Sequence, residues 1–421
     1  MSTTAPSQPG APAGTAPNVE RTCCCVVGGG PAGAVLSLLL ARRGVPVTLL
    51  EMHADFDREF RGDTIHPSTL EILDQIGLAE KIHQIPHTKI SGPTIQFSNG
   101  SITPFDLRRL KTRFPYILLI PQSRFLEFIT REAAEYPQFK LLMQANVQHL
   151  LENNGVISGV RYLGPDGEHE IQAQLTVGAD GRFSILRRLA GFEPIKTSPP
   201  MDVLWFRLPK LDGEPEAIGG AFGGIGRGRI FVVLERTDYW QAGMVFLKGQ
   251  YQELRAQGIE ALRNSLIETE PRFAKHAASL TDWHQLNLLS VESSRCPKWH
   301  KPGLLLIGDA AHVMSPVGGV GINYAIQDAV VAANVLAGPL KSGTVSEAHL
   351  AEVQRQREWP TRVIQKMQSF MQERLLAGVL RSTRAMRVPW QLKVFTRIPI
   401  LRDLPSCLIA FGPRRVRLLD P

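Results

Sequence analysis

The hydrophobic pattern near the N-terminus predicts a strand, a helix and a second strand. A short apolar run, Cys23 to Val27, leads into a glycine-rich turn, and an apolar helical pattern then continues through Leu40. Val47 to Leu50 is apolar again and ends at Glu51. Two parallel strands need a crossover between them, so we interpret this stretch as a β-α-β unit.

The turn has the composition of a dinucleotide-binding loop, reading Gly28-Gly29-Gly30-Pro31-Ala32-Gly33. In such loops the first motif glycine permits a tight turn, the second lets the backbone approach a pyrophosphate, and the third lets the helix pack on the strand. Glu51 follows about 20 residues later, where a carboxylate accepts ribose hydroxyls. The alternative is a glycine-rich turn in an unrelated α/β unit.

Further along, the pattern changes to alternating strands. Hairpin and strand patterns dominate residues 91–120 and 202–246, residues 250–275 have helical spacing, and a further helix is predicted from Tyr324. The glycine-rich stretch 219–228 is followed by a strand pattern instead of a helix, which favours a flexible hairpin over a phosphate-binding loop. We therefore predict a second, β-rich unit interleaved with the first.

Composition indicates an ordinary globular protein. The chain has 421 residues, of which 43% are hydrophobic and 20% are charged. No uninterrupted apolar stretch reaches the roughly 18 residues of a membrane span. Residues 1–20, rich in Pro, Ala, Ser and Thr, predict a disordered tail and not a secretion signal. The five cysteines, three of them adjacent at 23–25, form no disulfide or metal pattern, so we predict apolar filler and a cytoplasmic protein.

The charge balance is basic, with a net charge of +8. The sequence shows no nucleic-acid-binding module, so we predict no nucleic-acid partner. An anionic cofactor pair, an anionic membrane surface or simple solubility remain open as explanations. The basic, aromatic C-terminus suits three roles: it could touch a membrane surface peripherally, pack over the first unit, or form a dimer contact. The sequence is compatible with both a monomer and a homodimer.

Three separated motifs resemble those of the class A flavoprotein monooxygenases, the group that includes p-hydroxybenzoate hydroxylase. They are the glycine turn with Glu51, GADGRFSILRR at 178–188, and GDAAHVMSPVGGVGIN at 308–323. The resemblance implies an α/β fold: a Rossmann-like FAD-binding domain of GR2 type, an interleaved β-sheet substrate domain and C-terminal helices. The implied divisions are 21–90, 121–195 and 296–345 for the FAD domain, 91–120 and 196–295 for the substrate domain, and 346–421 for the helical region.

The same resemblance implies a set of FAD contacts. Asp309 and Asp180 follow strands near the pyrophosphate, and the loop from Pro316 opens a helix whose backbone N–H groups face the flavin carbonyl. The predicted cofactor-binding residues are Gly28, Gly30, Pro31, Ala32, Gly33, Glu51, Arg61, Gln122, Val147, Asp180, Asp309, Pro316, Gly319, Gly321, Ile322 and Asn323. No metal site is predicted.

The implied activity is hydroxylation of an aromatic small molecule, whether phenolic, quinoid or polyketide-like. NAD(P)H, which binds only transiently, would reduce tightly bound FAD, and O₂ would then add to the reduced flavin to form a C4a-hydroperoxide. Only one dinucleotide motif is present, which disfavours the two-site flavin reductases. The alternatives are a flavin-dependent epoxidase or prenyl reductase acting on a lipid-like substrate, and a non-catalytic FAD-binding protein.

No catalytic residue is identified from the sequence. We interpret His312 as structural, and we favour a solvated loop over a proton relay for Asp63 and His66. Several aromatic residues are candidates for substrate contact, with core packing as the more frequent alternative: Trp205, Phe206, Phe222, Phe231, Tyr239, Trp240 and Phe246.

Overall fold

The structure, a computed structural model, describes residues 18–57, 63–214, 220–226, 228–382, 388 and 398–419. Its strands are β1 Asn18–Val27, β2 Val47–Leu50, β3 Thr64–Ile65, β4 Thr88–Ile90, β5 Thr94–Phe97, β6 Gly100–Ile102, β7 Ile117–Leu119, β8 Phe139–Leu142, β9 Asn146–Asn153, β10 Val156–Gly164, β11 Gly167–Gly178, β12 Ile195–Thr197, β13 Met201–Pro209, β14 Ala221–Gly226, β15 Arg229–Glu235, β16 Tyr239–Leu247, β17 Leu286–Ser290, β18 Ser293–Arg295, β19 His300–Lys301, β20 Leu304–Leu306 and β21 His312–Val313. Its α-helices are α1 Pro31–Arg42, α2 Pro67–Gln75, α3 Ala79–Ile82, α4 Gln122–Ala134, α5 Ile185–Leu189, α6 Tyr251–Ala256, α7 Ile259–Thr269, α8 Ala274–Ala277, α9 Gly321–Ser342, α10 Glu347–Phe370, α11 Ala377–Leu380 and α12 Pro399–Phe411. A π-helical segment, Met371–Leu376, joins α10 to α11, and short 3-10 turns span Leu107–Arg109, Pro271–Phe273, Trp283–Gln285, Gly308–Ala310 and Val317–Gly319.

A largely parallel sheet forms the first layer. Its path is β19-β20-β11-β1-β2-β8, with β10 and then β9 added beside the first half of β11. The strands from β20 to β8 run parallel. Helices α1, α4 and α9 supply much of the core that packs with this sheet, because their apolar side chains are nearly fully buried. Cys24 and Cys25 are fully buried in β1, which confirms the prediction of apolar filler.

A mostly antiparallel sheet forms the second unit, in the order β17-β13-β16-β15-β14-β5-β6. The glycine-rich stretch 219–228 was expected to be a flexible hairpin, and the hairpin is confirmed in its described part, where β14 pairs antiparallel with β15, the next strand along the chain. Ala221–Gly226 is strand β14, paired with both β15 and β5. A Cβ on Gly224 would lie 2.7 Å from the side chain of Thr269, so the glycine lets α7 approach the strand.

Two small sheets connect these layers, in the orders β3-β7-β4 and β12-β18-β21. Helix α10 packs along α9. Within the described ranges, one helical stretch, Val317–Ser342, is long and apolar enough to cross a membrane. The protein interior buries 83% of its most apolar window, as it does in the core helix of a globular domain.

The N-terminal prediction needs one correction. Residues 18–20 belong to β1, where Asn18 pairs with His169, so they are not part of a disordered tail. The other seventeen residues of that tail lie outside the described residues. The predicted domain boundaries remain a prediction.

Candidate active site

The carboxyl ends of four parallel strands define one edge of the first sheet. β1 ends at Val27, β2 at Leu50, β11 at Gly178 and β20 at Leu306. In open α/β sheets, ligands bind in the crevice beyond this edge. Each sequence motif directly follows one of these strands, so the fold brings together segments that lie up to 280 residues apart.

Gly28 and Gly33 are required by packing within the chain. Gly28 has φ +106°, and a Cβ there would lie 2.5 Å from the carbonyl oxygen of Ala179. A Cβ on Gly33 would overlap the carbonyl oxygen of Gly28. These two glycines therefore let the turn form and let α1 sit against β1.

Gly30 is different, because the surrounding protein does not explain it. The nearest atom to a Cβ at this position would be 4.0 Å away, and the backbone has an ordinary extended conformation. Gly30 precedes Pro31 and Ala32, the first residues of α1, so open space lies where the helix presents free N–H groups. This is the space that a pyrophosphate needs.

Gly308 places the third motif beside the N-terminus of α1. A Cβ on Gly308 would lie 3.2 Å from the Cβ atoms of both Ala32 and Ala325, in the first turns of α1 and α9. The two helices therefore begin side by side, and Asp309 stands beside their N-termini. Gly321, the first residue of α9, also has open space, with Met314 3.9 Å from a Cβ there.

Glu51 reaches back to the glycine turn. Its Oε2 accepts the N–H of Gly29 at 2.9 Å, and its Oε1 contacts His53 Nδ1 at 2.5 Å. The carbonyl oxygen of Glu51 accepts the N–H of Ala145 at 2.9 Å, so Val147 in β9 lies close by. Arg61, predicted to act next to this acid, lies outside the described residues.

Asp180 organises the turn after β11. Its carboxylate accepts the hydroxyl of Ser184 at 2.5 Å and the N–H of Leu186 at 3.0 Å. Burial raises the pKa of Asp180, although these hydrogen bonds oppose the shift. Arg187 of the same motif donates to the carbonyl oxygen of Ala310 at 3.0 Å, so this turn is fixed to the third motif.

The loop from Pro316 to Asn323 is held by a buried amide. Asn323 Nδ2 donates to the carbonyl oxygen of Thr64 at 3.0 Å, and its Oδ1 accepts the N–H of His66 at 2.9 Å. Thr64 in turn donates to the carbonyl oxygen of Gly319 at 2.8 Å. The N–H of Asn323 donates to Val320, so this N–H is engaged within the first helical turn. Gly321 and Ile322 occupy the positions where helix N–H groups have no intrahelical acceptor.

These observations fit one elongated anionic cofactor, and the comparisons with known proteins identify its class. The family model of the FAD binding domain matches residues 21–367. The chain belongs to this FAD-binding family. It is 32% identical over 391 residues to 6-methylpretetramide 4-monooxygenase of Streptomyces rimosus, covering 92% of each chain.

Two further comparisons agree. A 12-dehydrotetracycline 5-monooxygenase/anhydrotetracycline 6-monooxygenase of Streptomyces rimosus is 28% identical over 85% of this chain and 68% of the relative. The structure of Pseudomonas aeruginosa PqsL in complex with 2-aminobenzoylacetate superposes with a TM-score of 0.74 at 20% identity, over 86% of this chain and 100% of that one. The predicted fold class and the resemblance to class A flavoprotein hydroxylases are therefore confirmed. The protein is an FAD-dependent monooxygenase that uses NAD(P)H.

In this monooxygenase, a buried ion pair that the sequence analysis missed joins the small β3-β7-β4 sheet to the second, mostly antiparallel sheet. Arg236 donates to Asp63 at 2.6 Å and to Gln241 at 2.9 Å, and only 4% of Arg236 is exposed. Asp63 also accepts the N–H of Gln122 at 3.2 Å, which places Gln122 at this junction. No sequence signal marks Arg236, because its partner lies 173 positions away.

The aromatic candidates separate by strand alternation. Phe206, Phe231 and Phe246 point towards α6–α8 and are at most 1% exposed, so they form core and do not reach a substrate. Trp240 packs against the same core. Trp205 points to the opposite face, where it packs in one cluster with Val317 of the Pro316–Asn323 loop, called the cofactor loop below.

The predictions for three polar residues have different outcomes. His312 is 1% exposed and contacts Asp328 Oδ2 at 2.6 Å, which agrees with a structural role.

The prediction of a solvated loop around Asp63 and His66 is wrong. His66 is fully buried, its Nδ1 donates to the carbonyl oxygen of Ile409 at 2.7 Å, and Asp63 lies in the junction between the sheets. Burial raises the pKa of Asp63, and Arg236 partly opposes the shift.

We predict an acid-sensitive stability that originates at His66. Burial lowers the pKa of His66 to about 4. The unfolded chain takes up a proton at about pH 6.5, before the folded chain does, so stability falls as the pH drops from about 6.5 to about 4, by up to ~3 kcal/mol. Urea unfolding at several pH values across this range measures the free energy of unfolding and so checks the prediction. His66→Asn should flatten the curve there, and an equally steep curve in the variant would contradict the assignment.

Proposed function

We propose that this monooxygenase hydroxylates a polycyclic aromatic polyketide in the cytoplasm. The observation that carries the proposal is the face of the second sheet that is turned towards the cofactor loop. One end of this face is buried against Val379 and Leu380, but Trp205, Val232 and Val245 keep partial exposure, whereas Phe206 and Phe231 on the opposite face have none. An extended aromatic substrate would complete this burial.

The proposed cofactor site uses the strand-end crevice. The N-termini of α1 and α9, with Gly30 and Gly321, would receive the pyrophosphate and the flavin, and Glu51 would exchange its contact with His53 for ribose hydroxyls. Val147 would approach the adenine end, since it lies close to Glu51. Bound FAD supplies the chemistry of oxygen activation, and the protein supplies orientation and exclusion of water.

The proposed substrate surface has an apolar half and a polar end. At the apolar half, the Trp205 ring lies against Gly243, where a Cβ would be 2.8 Å from the indole. At the polar end, Arg207 and Gln241 lie opposite each other on neighbouring strands, beside Arg236. An aromatic polyketide has the same division, since fused rings adjoin acidic enol and phenol oxygens. The flat surface would position the rings, and the cations would orient the oxygens.

The test is product formation from purified, FAD-loaded protein. We expect 6-methylpretetramide or a related tetracyclic aromatic to accelerate NAD(P)H consumption and to gain one oxygen atom from ¹⁸O₂, detected by mass spectrometry. Single-ring phenols should be poorer substrates. Stimulation by single-ring phenols alone would overturn the polyketide assignment while leaving the monooxygenase class intact.

Trp205 provides a second test. Trp205→Ala removes the indole that covers Gly243, and we expect the KM for the polycyclic substrate to rise about tenfold or more, since burial of a large aromatic contributes several kcal/mol. Steady-state NAD(P)H oxidation measures the effect. The matched control is Phe206→Leu on the opposite face of β13, which should lower the melting temperature but leave KM unchanged. Equal KM changes in both variants would refute the assignment of the faces.

The alternative activities are less favoured. Epoxidation or prenyl reduction would act on a lipid-like chain, which has no use for the cations at the polar end of this face. A non-catalytic FAD-binding protein would have no reason to keep a partly exposed aromatic face beside the cofactor loop. Peripheral membrane contact stays a prediction, since residues 383–387 and 389–397 of the basic C-terminal segment lie outside the described residues.

A further inference from the structure

A cationic groove lies between the C-terminal half of α10, with its π-helical extension, and strands β12 and β18. It has a volume of about 410 Å³, within the usual range for small-molecule sites. Its charged lining consists of four cations and one carboxylate: Arg295, Arg362, Lys366, Arg374 and Glu373. A groove of this size and charge suits a small polyanion.

The cations of the groove are poorly neutralised. Among the described residues, no carboxylate lies within 4 Å of the side-chain nitrogens of Lys366 or Arg374, and the nearest to Arg362 is Glu358 at 3.8 Å. Arg295 donates from Nη1 to Gln365 at 3.1 Å, while its Nε is shielded from solvent and has no acceptor in the described part of the chain. No carboxylate lies within 4 Å of the Arg295 guanidinium among the described residues either, so its charge is not neutralised by an ion pair.

The rim offers flat apolar surface beside the charge. Phe370 is 61% exposed and Ile195 is 56% exposed. Arg374 lies in the π-helical segment that widens the end of α10, and such segments occur frequently at functional sites. An exposed ring next to a cluster of cations matches a ligand that combines a planar base with phosphates.

The groove is coupled to the cofactor loop through glutamines on α10. Gln365 donates to the carbonyl oxygens of Ser294 and Val313 at 2.9 and 3.0 Å. Gln368 donates to those of Ser315 and Val317 at 2.9 and 2.8 Å. The backbone that forms the floor of the groove therefore continues directly into the loop proposed to hold the flavin.

We propose that this groove docks the ADP-ribose portion of NAD(P)H during flavin reduction. The proposal rests on NAD(P)H as the reductant of this enzyme. The pyrophosphate would be bound by Arg295, Lys366 and Arg374, with the adenine ring on Phe370. A 2′-phosphate would add a further anion for Arg362.

The binding test uses the holoenzyme with ADP-ribose and 2′-phospho-ADP-ribose as probes in isothermal titration calorimetry. We expect Lys366→Ala/Arg374→Ala to weaken binding of both probes about tenfold or more, since hydrogen bonds to charged groups are lost. The matched control, Lys341→Ala/Arg355→Ala, removes one lysine and one arginine from exposed positions outside the groove and should bind like the parent. Equal affinities in the two double variants would overturn the proposal.

The kinetic test is anaerobic reduction of the flavin by NAD(P)H in stopped flow. The groove variant should show the same increase in the dissociation constant of NAD(P)H, with a limiting reduction rate within about twofold of the parent and unchanged FAD content. An unchanged dissociation constant alongside normal reduction would refute the groove alone. A parent enzyme that dithionite reduces but NAD(P)H does not would refute the proposed function, and the ADP-ribose titration would still decide on the groove.

Discussion

Gly30→Ala should leave the protein folded and weaken its hold on FAD by one to two powers of ten. The added methyl group has no protein atom closer than 4.0 Å, so the apoprotein tolerates it. It would occupy the space that the pyrophosphate needs at the N-terminus of α1, and overpacking of this kind costs about 1–3 kcal/mol. Fluorescence titration of the apoprotein with FAD measures the dissociation constant.

Two other glycines make this prediction specific. Gly338→Ala in α9 also adds a methyl group in open space, far from the crevice, and should leave FAD affinity unchanged. Gly33→Ala would drive its methyl group into the carbonyl oxygen of Gly28 and should prevent stable folding. If Gly30→Ala bound FAD like the parent, the cofactor would not approach this turn.

Asp328→Ala should lower the free energy of unfolding by about 3–5 kcal/mol, the cost of leaving a buried charge without its partner. Asp328 is fully buried and accepts from His312 at 2.6 Å, from Arg357 Nε at 2.7 Å and from the N–H of Gly308 at 3.0 Å. Since Gly308 separates the first turns of α1 and α9, FAD affinity should fall as well. Urea unfolding and FAD titration measure the two effects.

The double variant Asp328→Ala/Arg357→Met is the control, because it leaves no buried guanidinium without its carboxylate. It should be more stable than Asp328→Ala, and additive losses would contradict the role of this ion pair. Burial alone raises the pKa of Asp328, but His312 and Arg357 outweigh it and hold the pKa below its usual range. The unfolded chain is therefore protonated first, so this stabilisation is complete above about pH 4 and is lost as the pH falls through the folded pKa.

The sequence by itself determined the cofactor class and the fold class. Each motif is local: the glycine turn, the acid after β2 and the GDAAH segment are continuous stretches whose geometry follows from backbone sterics and strand–turn–helix order. The same holds for β1, α1 and β2, which lie close to where the hydrophobic pattern predicts them. Alternation also predicted strands in the second unit, but not which face of each is buried.

Only the tertiary structure decided which residues of different sheets meet. Arg236 and Asp63 pair because β3 and the end of β15 converge, and neither residue has a local signal for the other. The substrate candidates Trp205 and Phe206 are neighbours in sequence, yet one faces the cofactor loop and the other the helices behind the sheet. Strand alternation sends neighbouring side chains to opposite faces, and the packing of distant elements decides which face is the core and which is the site.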